Sequence, residues 1–160
     1  MVLVETVLDF LRPQPGESAL DLYAGVGLFA RFLADLVGPG ARVVAVEGDR
    51  RACGHARTVL GGAARVSRGR VDQVLAASYD EPFDLVVLDP PREGAGRTVV
   101  EQVVARGPRA VAYVACDPAA LARDVFTFAE HGYRVSRLRA FDLFPMTHHV
   151  ECVALLEPMS

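Results

Sequence analysis

The sequence predicts an α/β fold, a three-layer sandwich built on a seven-stranded, mostly parallel sheet with an antiparallel last strand. Short runs rich in Val, Ala and Leu alternate with stretches of helical spacing along the whole chain. The first five runs are almost continuously apolar, which is typical of strands covered by helices on both faces. The last two runs follow each other across a segment too short for a crossover, so they are expected to pair antiparallel.

The individual elements follow in a regular order. A first helix is expected at 2–11, because Val4, Val7, Leu8 and Leu11 fall on one face of it. Strands are predicted at 18–23, 41–47, 63–67, 83–89, 109–115, 133–142 and 149–156. The helices between the strands are predicted at 26–37, 49–60, 71–77, 97–106 and 118–131. The pattern shows no internal repeat and no boundary, so a single domain spanning 1–160 is expected.

Composition excludes several classes of protein. The chain has 160 residues, 51% of them hydrophobic, and a net charge of −3, which excludes disorder. No apolar run reaches the roughly 18–20 residues of a membrane span, and no signal peptide is recognisable. The three cysteines, Cys53, Cys116 and Cys152, are an odd number and widely spaced, so we expect free thiols and a cytoplasmic protein. A monomer with no metal and no membrane partner is expected.

A glycine turn after the first strand predicts a cofactor pocket. Gly25 permits a tight turn and Gly27 lets the backbone approach a ligand near a helix start. Glu47 ends the second strand, where a carboxylate can accept both ribose hydroxyls of an adenosine. Tyr23 is a pocket wall or ordinary core, and Asp72 either reaches an adenine amino group or is a solvated helix acid. The pattern matches the NAD fingerprint equally well, so it predicts an adenosine-containing cofactor without identifying it.

A second candidate site follows the fourth strand, in the sequence Asp89-Pro90-Pro91-Arg92. Open α/β sheets bind ligands at the carboxyl ends of their strands. The two prolines fix the backbone and would form a rigid ledge under a planar group. The structural alternative is simply a sharp exit from the strand into a loop.

Cys116 ends the fifth strand immediately before a predicted helix. Asp117 stands where the N-cap belongs and Pro118 where the first helical residue belongs. The positive end of a helix dipole favours a thiolate, so Cys116 is a candidate nucleophile. Cys53 and Cys152 have no such context and are expected to be structural.

Glu151 is an acidic residue in an otherwise apolar last strand. Because an isolated buried carboxylate is costly, Glu151 is interpreted either as a general base or as a residue on an exposed strand face. The preceding His149 is either a polar residue at the strand entry or a substrate contact.

Four sequence blocks, taken in order, resemble the catalytic domain of the RNA uracil-5 methyltransferases, which make 5-methyluridine in transfer or ribosomal RNA. The resemblance covers essentially the whole chain, and the last two blocks are the specific ones. The blocks are Asp21-Leu-Tyr-Ala-Gly-Val-Gly, Asp89-Pro-Pro-Arg-x-Gly, Tyr113-Val-x-Cys116-x-Pro118-x-x-x-Ala-Arg123-Asp124 and Asp142-x-Phe-Pro-x-Thr-x-His149-Val-Glu151. The resemblance implies the class I methyltransferase fold, which is Rossmann-like, and S-adenosylmethionine as the methyl donor.

The resemblance also implies roles for individual residues. It makes Cys116 the nucleophile and Glu151 the proton acceptor, with tRNA or rRNA as the partner. The cofactor contacts that it implies are Tyr23, Glu47 and Asp89, beside Gly25, Gly27 and Asp72 from the cofactor pocket above. The candidate substrate contacts are Pro90, Arg92, Arg123 and His149. Asp117 departs from the Asn usual in the family. The family's N-terminal RNA-binding barrel is not among these residues, so the catalytic domain alone is expected.

Other functions remain open at this stage. An amino-group methyltransferase acting on nucleic acid would use the Asp89-Pro90-Pro91 ledge and would not need Cys116. A non-catalytic domain would bind the cofactor without turnover. An NAD-dependent dehydrogenase would share the glycine turn and Glu47.

Overall fold

The computed structural model describes residues 2–142 and 150–160, and it confirms the predicted succession of elements. The helices in these two ranges are α1 (Val2–Leu11), α2 (Leu28–Val37), α3 (Arg50–Leu60), α4 (Val71–Ala77), α5 (Arg97–Ala105) and α6 (Pro118–Glu130). The strands are β1 (Ala19–Leu22), β2 (Val43–Glu47), β3 (Arg65–Arg68), β4 (Leu85–Leu88), β5 (Ala110–Ala115), β6 (Tyr133–Phe141) and β7 (Glu151–Pro158).

All seven strands belong to one sheet, in the order β3-β2-β1-β4-β5-β7-β6. The pairs among β1 to β5 are parallel. The last strand, β7, lies antiparallel between β5 and β6. The predicted mostly parallel sheet with an antiparallel last strand is therefore confirmed.

Two apolar cores lie on opposite faces of the sheet and make the three layers. Helices α1, α2 and α3 cover one face, with Val7, Leu33 and Leu60 among the buried side chains. Helices α4, α5 and α6 cover the other face, where Val103 and Phe128 are fully buried. Burial of these side chains is the main favourable contribution to folding.

The burial of β3 differs from the sequence expectation. We expected all of the first five strands to be covered on both faces, but no residue of β3 is fully buried. The reason is position, since β3 pairs only with β2 and forms the edge of the sheet. Arg65 and Arg68, at the two ends of β3, are exposed, and charged side chains are common on edge strands because they discourage pairing between molecules.

The helix boundaries follow local capping signals. Asp49 caps α3 by accepting a hydrogen bond from the Ala52 N–H at 2.9 Å. Asp117 caps α6 in the same way through the Ala119 N–H at 3.0 Å, and Pro118 occupies the first turn, as predicted. Within residues 2–142 and 150–160, no helix has the length and apolar character needed to cross a lipid bilayer.

Candidate active site

One edge of the sheet gathers most of the predicted site residues. Because β1, β2, β4 and β5 run parallel, their carboxyl ends lie together, and Tyr23, Glu47, Asp89 and Cys116 stand at or just beyond those ends. Strand β7 runs in the opposite direction, so it begins at the same edge with Glu151. The topology thus brings together residues that lie up to 128 positions apart in the chain.

The glycine turn and the end of β2 are joined through the Glu47 carboxylate. Its Oε1 accepts a hydrogen bond from the Gly25 N–H at 2.8 Å, and its Oε2 accepts one from the Asp49 N–H at 2.7 Å. A carboxylate has about four lone-pair positions, so two remain for further donors. Glu47 is therefore oriented by backbone donors and retains acceptor capacity.

Gly27 is required by packing as well as by backbone conformation. Its φ is +87°, in the left-handed region, and it forms the N-cap position of α2. A Cβ at this position would lie 3.2 Å from Leu60 Cδ1 and 3.3 Å from Ala56 Cβ, both on α3. The structure thus gives Gly27 a role in the close approach of α2 and α3 that the sequence motif alone does not indicate.

A cleft of about 580 Å³ opens beside Glu47. Three of the predicted site residues line it: Tyr23, Glu47 and Asp72. The predicted substrate contact Pro90 is buried and does not line the cleft, whereas its neighbour Pro91 does. Asp72 makes an ion pair with Arg70 at 3.0 Å, so the carboxylate has a protein partner at the rim of the cleft. The segment from Glu93 to Val99 forms another wall, and Gly48 and the segment from Gly69 to Val71 complete the lining.

Tyr23 stands at the junction of the glycine turn and this cleft. It has a left-handed φ of +60° and is half-buried. Burial, together with the negative charges of Asp124, Asp72 and Glu93, raises the pKa of Tyr23 to about 12. Its hydroxyl therefore remains protonated at neutral pH and can act as a hydrogen-bond donor.

Asp21 lies fully buried beneath the turn. Its Oδ2 accepts a hydrogen bond from the Ala30 N–H at 2.9 Å in the first turn of α2. Its Oδ1 is buried and, in the described part of the chain, has no hydrogen-bond partner. Burial raises the pKa of Asp21 to about 8, and the nearby charges of Asp89 and Glu47 act in the same direction. The carboxyl group is therefore mostly protonated at neutral pH.

Three carboxyl groups make the centre of this edge electronegative. Asp89 has solvent-accessible surface, yet its carboxyl group is partly desolvated by its position at the end of β4. That desolvation, followed by the negative charges of Glu151 and Glu47, raises the pKa of Asp89 to about 6. Asp89 therefore lies within electrostatic range of both Glu47 and Glu151. A cationic ligand is favoured at this point.

Cys116 follows the last residue of β5, and Glu151 is the first residue of the neighbouring strand β7. In the antiparallel pair of β5 and β7, Ala115 lies opposite Cys152. Cys116 and Glu151 are the next residues outward from that last pair, so both lie at the same end of the two strands. Both residues are partly exposed. A thiol and a carboxylate thus lie at the same edge of the sheet, at the ends of neighbouring strands.

The other two thiols lie in different surroundings. Cys53 and Cys152 are buried, as expected for structural cysteines, and all three cysteines are free thiols. Burial and the nearby negative charge of Glu47 raise the pKa of Cys53, while burial and Glu151 raise the pKa of Cys152. Both thiols are therefore held in the neutral form, which is the unreactive one.

Asp124 and Tyr113 are buried polar residues whose roles the sequence reasoning did not identify. The Tyr113 hydroxyl donates to Asp124 Oδ2 at 2.5 Å, inside the core that α6 covers. The same carboxylate accepts hydrogen bonds from the Ala95 N–H at 2.8 Å and the Gly96 N–H at 3.2 Å. The signal available in the sequence was an acidic residue on the apolar face of α6, level with Ala120, Leu121 and Phe128.

The predicted substrate residues have different positions. Arg92 and Arg123 are both exposed, and Arg123 lines a shallow groove with Phe126 beside α6. His149 lies outside the described residues. No group of three or more His, Cys, Asp or Glu side chains arranged to hold a metal ion occurs in residues 2–142 and 150–160.

The family model for tRNA (uracil-5-)-methyltransferase matches residues 63–159. The chain belongs to the tRNA (uracil-5-)-methyltransferase family. It is 55% identical over 158 residues to an uncharacterized RNA methyltransferase of Streptomyces avermitilis, a match that covers 98% of this chain and 36% of that protein. It is 42% identical over 161 residues to the 23S rRNA (uracil(1939)-C(5))-methyltransferase of Pseudomonas fluorescens, covering 97% of this chain and 35% of the relative.

A solved structure of the same family has a similar fold. The tRNA (uracil-54, C5)-methyltransferase of Pyrococcus abyssi, crystallised in complex with S-adenosyl-L-homocysteine, is 32% identical to this chain, with a TM-score of 0.77. The match covers 95% of this chain and 37% of that one. The chain thus spans about a third of the length of the family members that it matches. The comparisons confirm the family and the class I methyltransferase fold predicted from the sequence.

Proposed function

We propose that this protein transfers a methyl group from S-adenosylmethionine to C5 of a uridine in tRNA or rRNA, through a covalent bond between Cys116 and C6 of the base. The observation that carries the proposal is that Cys116 and Glu151 lie at the ends of the paired strands β5 and β7, at the edge that also holds Asp89. Family membership supports the uridine chemistry.

The residues at the edge fit S-adenosylmethionine. When bound, this cofactor supplies an electrophilic methyl group on a positively charged sulfonium. Glu47 retains acceptor positions for the ribose hydroxyls, and Asp89 lies in the electronegative part of the edge, where a sulfonium is favoured. Tyr23 lines the cleft as a wall and donor, and Asp72 lies at its rim. Gly25 and Gly27 shape the turn that holds Glu47 and begins α2.

Cys116 would begin the reaction. Its thiolate adds to C6 of uracil, so an S–C6 bond forms and the C5=C6 electron pair moves to give an enolate with nucleophilic character at C5. C5 then takes the methyl group, and the electron pair of the broken methyl–sulfur bond stays on the cofactor sulfur. Asp117 is engaged in capping α6, so one lone pair of its carboxylate is already committed to the Ala119 N–H.

Glu151 would complete the reaction as the general base. It removes the proton from C5, the C5=C6 double bond re-forms, and the S–C6 bond breaks to return the Cys116 thiolate. The position of Glu151 at the start of β7, beside the end of β5, is consistent with this requirement, because the two groups must reach adjacent carbons of one ring. The carboxyl group must then lose its proton to solvent before the next turnover.

The RNA substrate must present an unstacked uridine to this edge. Flipping a base out of a helix or loop costs a few kcal/mol, which contacts in the pocket must offset. Pro90 and Pro91 make the rigid turn beside Asp89, and the exposed Arg92 and Arg123 are suited to bind phosphate in a bidentate manner. His149 is proposed as a further substrate contact.

The decisive experiment uses RNA that contains 5-fluorouridine. Fluorine at C5 cannot leave as the proton does, so the covalent complex is trapped and migrates as a protein–RNA band in a denaturing gel. We expect the adduct with the wild-type protein and S-adenosylmethionine, and none with Cys116→Ala. Cys53→Ser is the matched control, since Cys53 is a buried thiol that donates to the Glu47 backbone carbonyl at 3.2 Å, a bond that a hydroxyl keeps, and this variant should retain the adduct. Methylation that survives in Cys116→Ala would overturn the proposal and favour amino-group methylation.

A further inference from the structure

The segment at residues 90–96, called here the proline loop, is hydrogen-bonded to the buried carboxylate of Asp124. Asp124 is 4% exposed and accepts two backbone hydrogen bonds from this loop, at Ala95 and Gly96. It also accepts the Tyr113 hydroxyl from β5. Hydrogen bonds to a buried charged acceptor are stronger than those between neutral groups.

The loop lies directly against that carboxylate because position 94 is glycine. Gly94 has a φ of +86°, and a Cβ added there would lie 2.9 Å from Asp124 Oδ2 and 3.2 Å from Ala120 Cβ. The first distance is shorter than real Cβ contacts, and the second is tighter than most of them. The backbone of the proline loop thus approaches α6 closely enough that a side chain at position 94 would require a shift.

The two elements that Asp124 joins, the proline loop and helix α6, lie next to Asp89 and Cys116, the residues proposed to contact the cofactor and the base. The proline loop follows Asp89 at the end of β4, and its residues form one wall of the cleft. Helix α6, which carries Asp124, begins two residues after Cys116. Tyr113 lies three positions before Cys116 on β5. Hydrogen bonds to the Asp124 side chain thus connect the loop to both neighbours of the thiol.

We propose that Asp124 is a positioning residue, which fixes the proline loop relative to Cys116 so that a base resting against the loop meets the thiol in a reactive geometry. This inference rests on the proposed function. A displacement of about 1 Å between reacting groups lowers the rate of a reaction by as much as about 100-fold, so the connection has a measurable consequence.

Two variants test the inference in different ways. Asp124→Asn keeps the shape of the side chain but replaces one acceptor oxygen with an NH2 group, which cannot accept a bond from the loop or from Tyr113. Gly94→Ala keeps the carboxylate and pushes the loop away from it. Val7→Ala is the control for lost stability, since Val7 is fully buried in the core on the other face of the sheet.

Two measurements distinguish positioning from a structural role. Amide hydrogen exchange, followed by NMR, reports whether the Ala95 and Gly96 N–H groups remain bonded. The rate of adduct formation with 5-fluorouridine RNA at saturating S-adenosylmethionine reports the geometry at Cys116. In Asp124→Asn we expect faster exchange at the amide left facing the NH2 group, in Gly94→Ala faster exchange at both amides, and in each variant an adduct rate lower by about 10–100-fold. In folded Val7→Ala neither should change, and cofactor affinity measured by calorimetry should persist. The rates of the two loop variants are compared at saturating S-adenosylmethionine because the loop also forms a wall of the cleft.

The possible results separate the two proposals. Unchanged exchange at Ala95 and Gly96 in Asp124→Asn would refute the connection itself. Faster exchange with an adduct rate equal to that of Val7→Ala would refute positioning and leave only a contribution to stability. If the wild-type protein forms no adduct, the uridine chemistry fails and the positioning role fails with it, whereas the exchange data would still show whether Asp124 holds the loop.

Discussion

The backbone N–H of Gly25 donates a hydrogen bond to the Glu47 carboxylate at 2.8 Å, and this bond joins the glycine turn after β1 to the end of β2. The second oxygen of the carboxylate accepts the Asp49 N–H at the start of α3. Three segments therefore converge on one side chain. Their shared acceptor is also the group proposed to receive the ribose hydroxyls, so the turn and the cofactor contact depend on each other.

Glu47→Gln should weaken cofactor binding with little change in overall fold. The variant retains one carbonyl oxygen but loses the charge and half of the acceptor positions, and hydrogen bonds to charged groups contribute about 1.5–3 kcal/mol. We expect the Kd for S-adenosylmethionine, measured by calorimetry, to rise about 10–100-fold. Glu81→Gln is the control, because Glu81 is a partly exposed residue that pairs with Arg42. An equal Kd in wild type and Glu47→Gln would exclude the ribose contact.

Much of the fold could be predicted from the sequence because local signals agree with the final packing. The apolar runs at β1, β2, β4 and β5 are buried at nearly every position, and Asp117 and Pro118 begin α6 as their residue types indicate. The burial of β3 was not predicted, since its place at the sheet edge depends on strand order rather than on its own composition.

Within the candidate site, the sequence predicts the reactive residues that stand at the ends of strands. Cys116 and Glu151 stand next to recognisable strand boundaries, and antiparallel pairing of the last strand brings them to one edge. The role of Asp124 depends on bonds to residues 28 and 29 positions away, which no spacing rule indicates. Asp21 belongs to the glycine-turn motif, but its burial, and the lack of a hydrogen-bond partner for its Oδ1 among the described residues, appear only in three dimensions.

Replacing Glu151 should stop the reaction after the methyl group has been transferred. Without a base to take the C5 proton, the Cys116–C6 bond cannot break, so we expect Glu151→Gln to accumulate a covalent adduct with ordinary uridine RNA. Turnover should fall by about 10²–10⁴-fold, the usual contribution of a general base. Radiolabelled S-adenosylmethionine would show the methyl group in the protein–RNA band. Glu157→Gln, near the other end of β7, is the control.

The Glu151→Gln variant also tests the electrostatic interaction at the edge. Glu151 is one of the charges that raise the pKa of Asp89 to about 6, so its neutralisation should lower the pKa of Asp89. An NMR titration of the Asp89 side-chain carboxyl would measure the change. Normal turnover together with an unchanged Asp89 titration would show that Glu151 neither acts as the base nor lies near Asp89.

Gly27 and Gly16 form a matched pair for separating packing from backbone strain. Both have a φ of +87°, but a Cβ at Gly16 would meet nothing within 4 Å, whereas at Gly27 it would contact Leu60 and Ala56. Alanine in the left-handed region costs about 1–2 kcal/mol at either position. We expect Gly27→Ala to reduce the free energy of unfolding by about 1–3 kcal/mol more than Gly16→Ala, because the added methyl overpacks the junction of α2 and α3. Urea denaturation would measure both, and equal losses would contradict a packing role for Gly27.

The buried Asp21 should make the protein less stable as the pH rises. Its pKa is about 8 in the folded state against an ordinary value of 3.8, so between these values the folded state holds a proton that the unfolded state has lost. The favourable contribution is complete below about pH 4 and disappears as the pH passes through about 8. Asp21→Asn stays neutral throughout and should avoid this loss. Relative to the variant, we expect the wild type to lose about 2–4 kcal/mol of unfolding free energy between pH 5 and pH 9, measured by urea denaturation.

The difference between wild type and variant isolates Asp21, because the other titrating groups are common to both proteins. Asp35→Asn removes a carboxylate that is exposed and pairs with Arg31 on α2, and its pH dependence should follow the wild type. Parallel pH profiles for wild type and Asp21→Asn would mean that the buried carboxyl does not retain its proton. In that case the negative charge beneath the glycine turn would persist at neutral pH, and the edge that holds Glu47 and Asp89 would be still more electronegative.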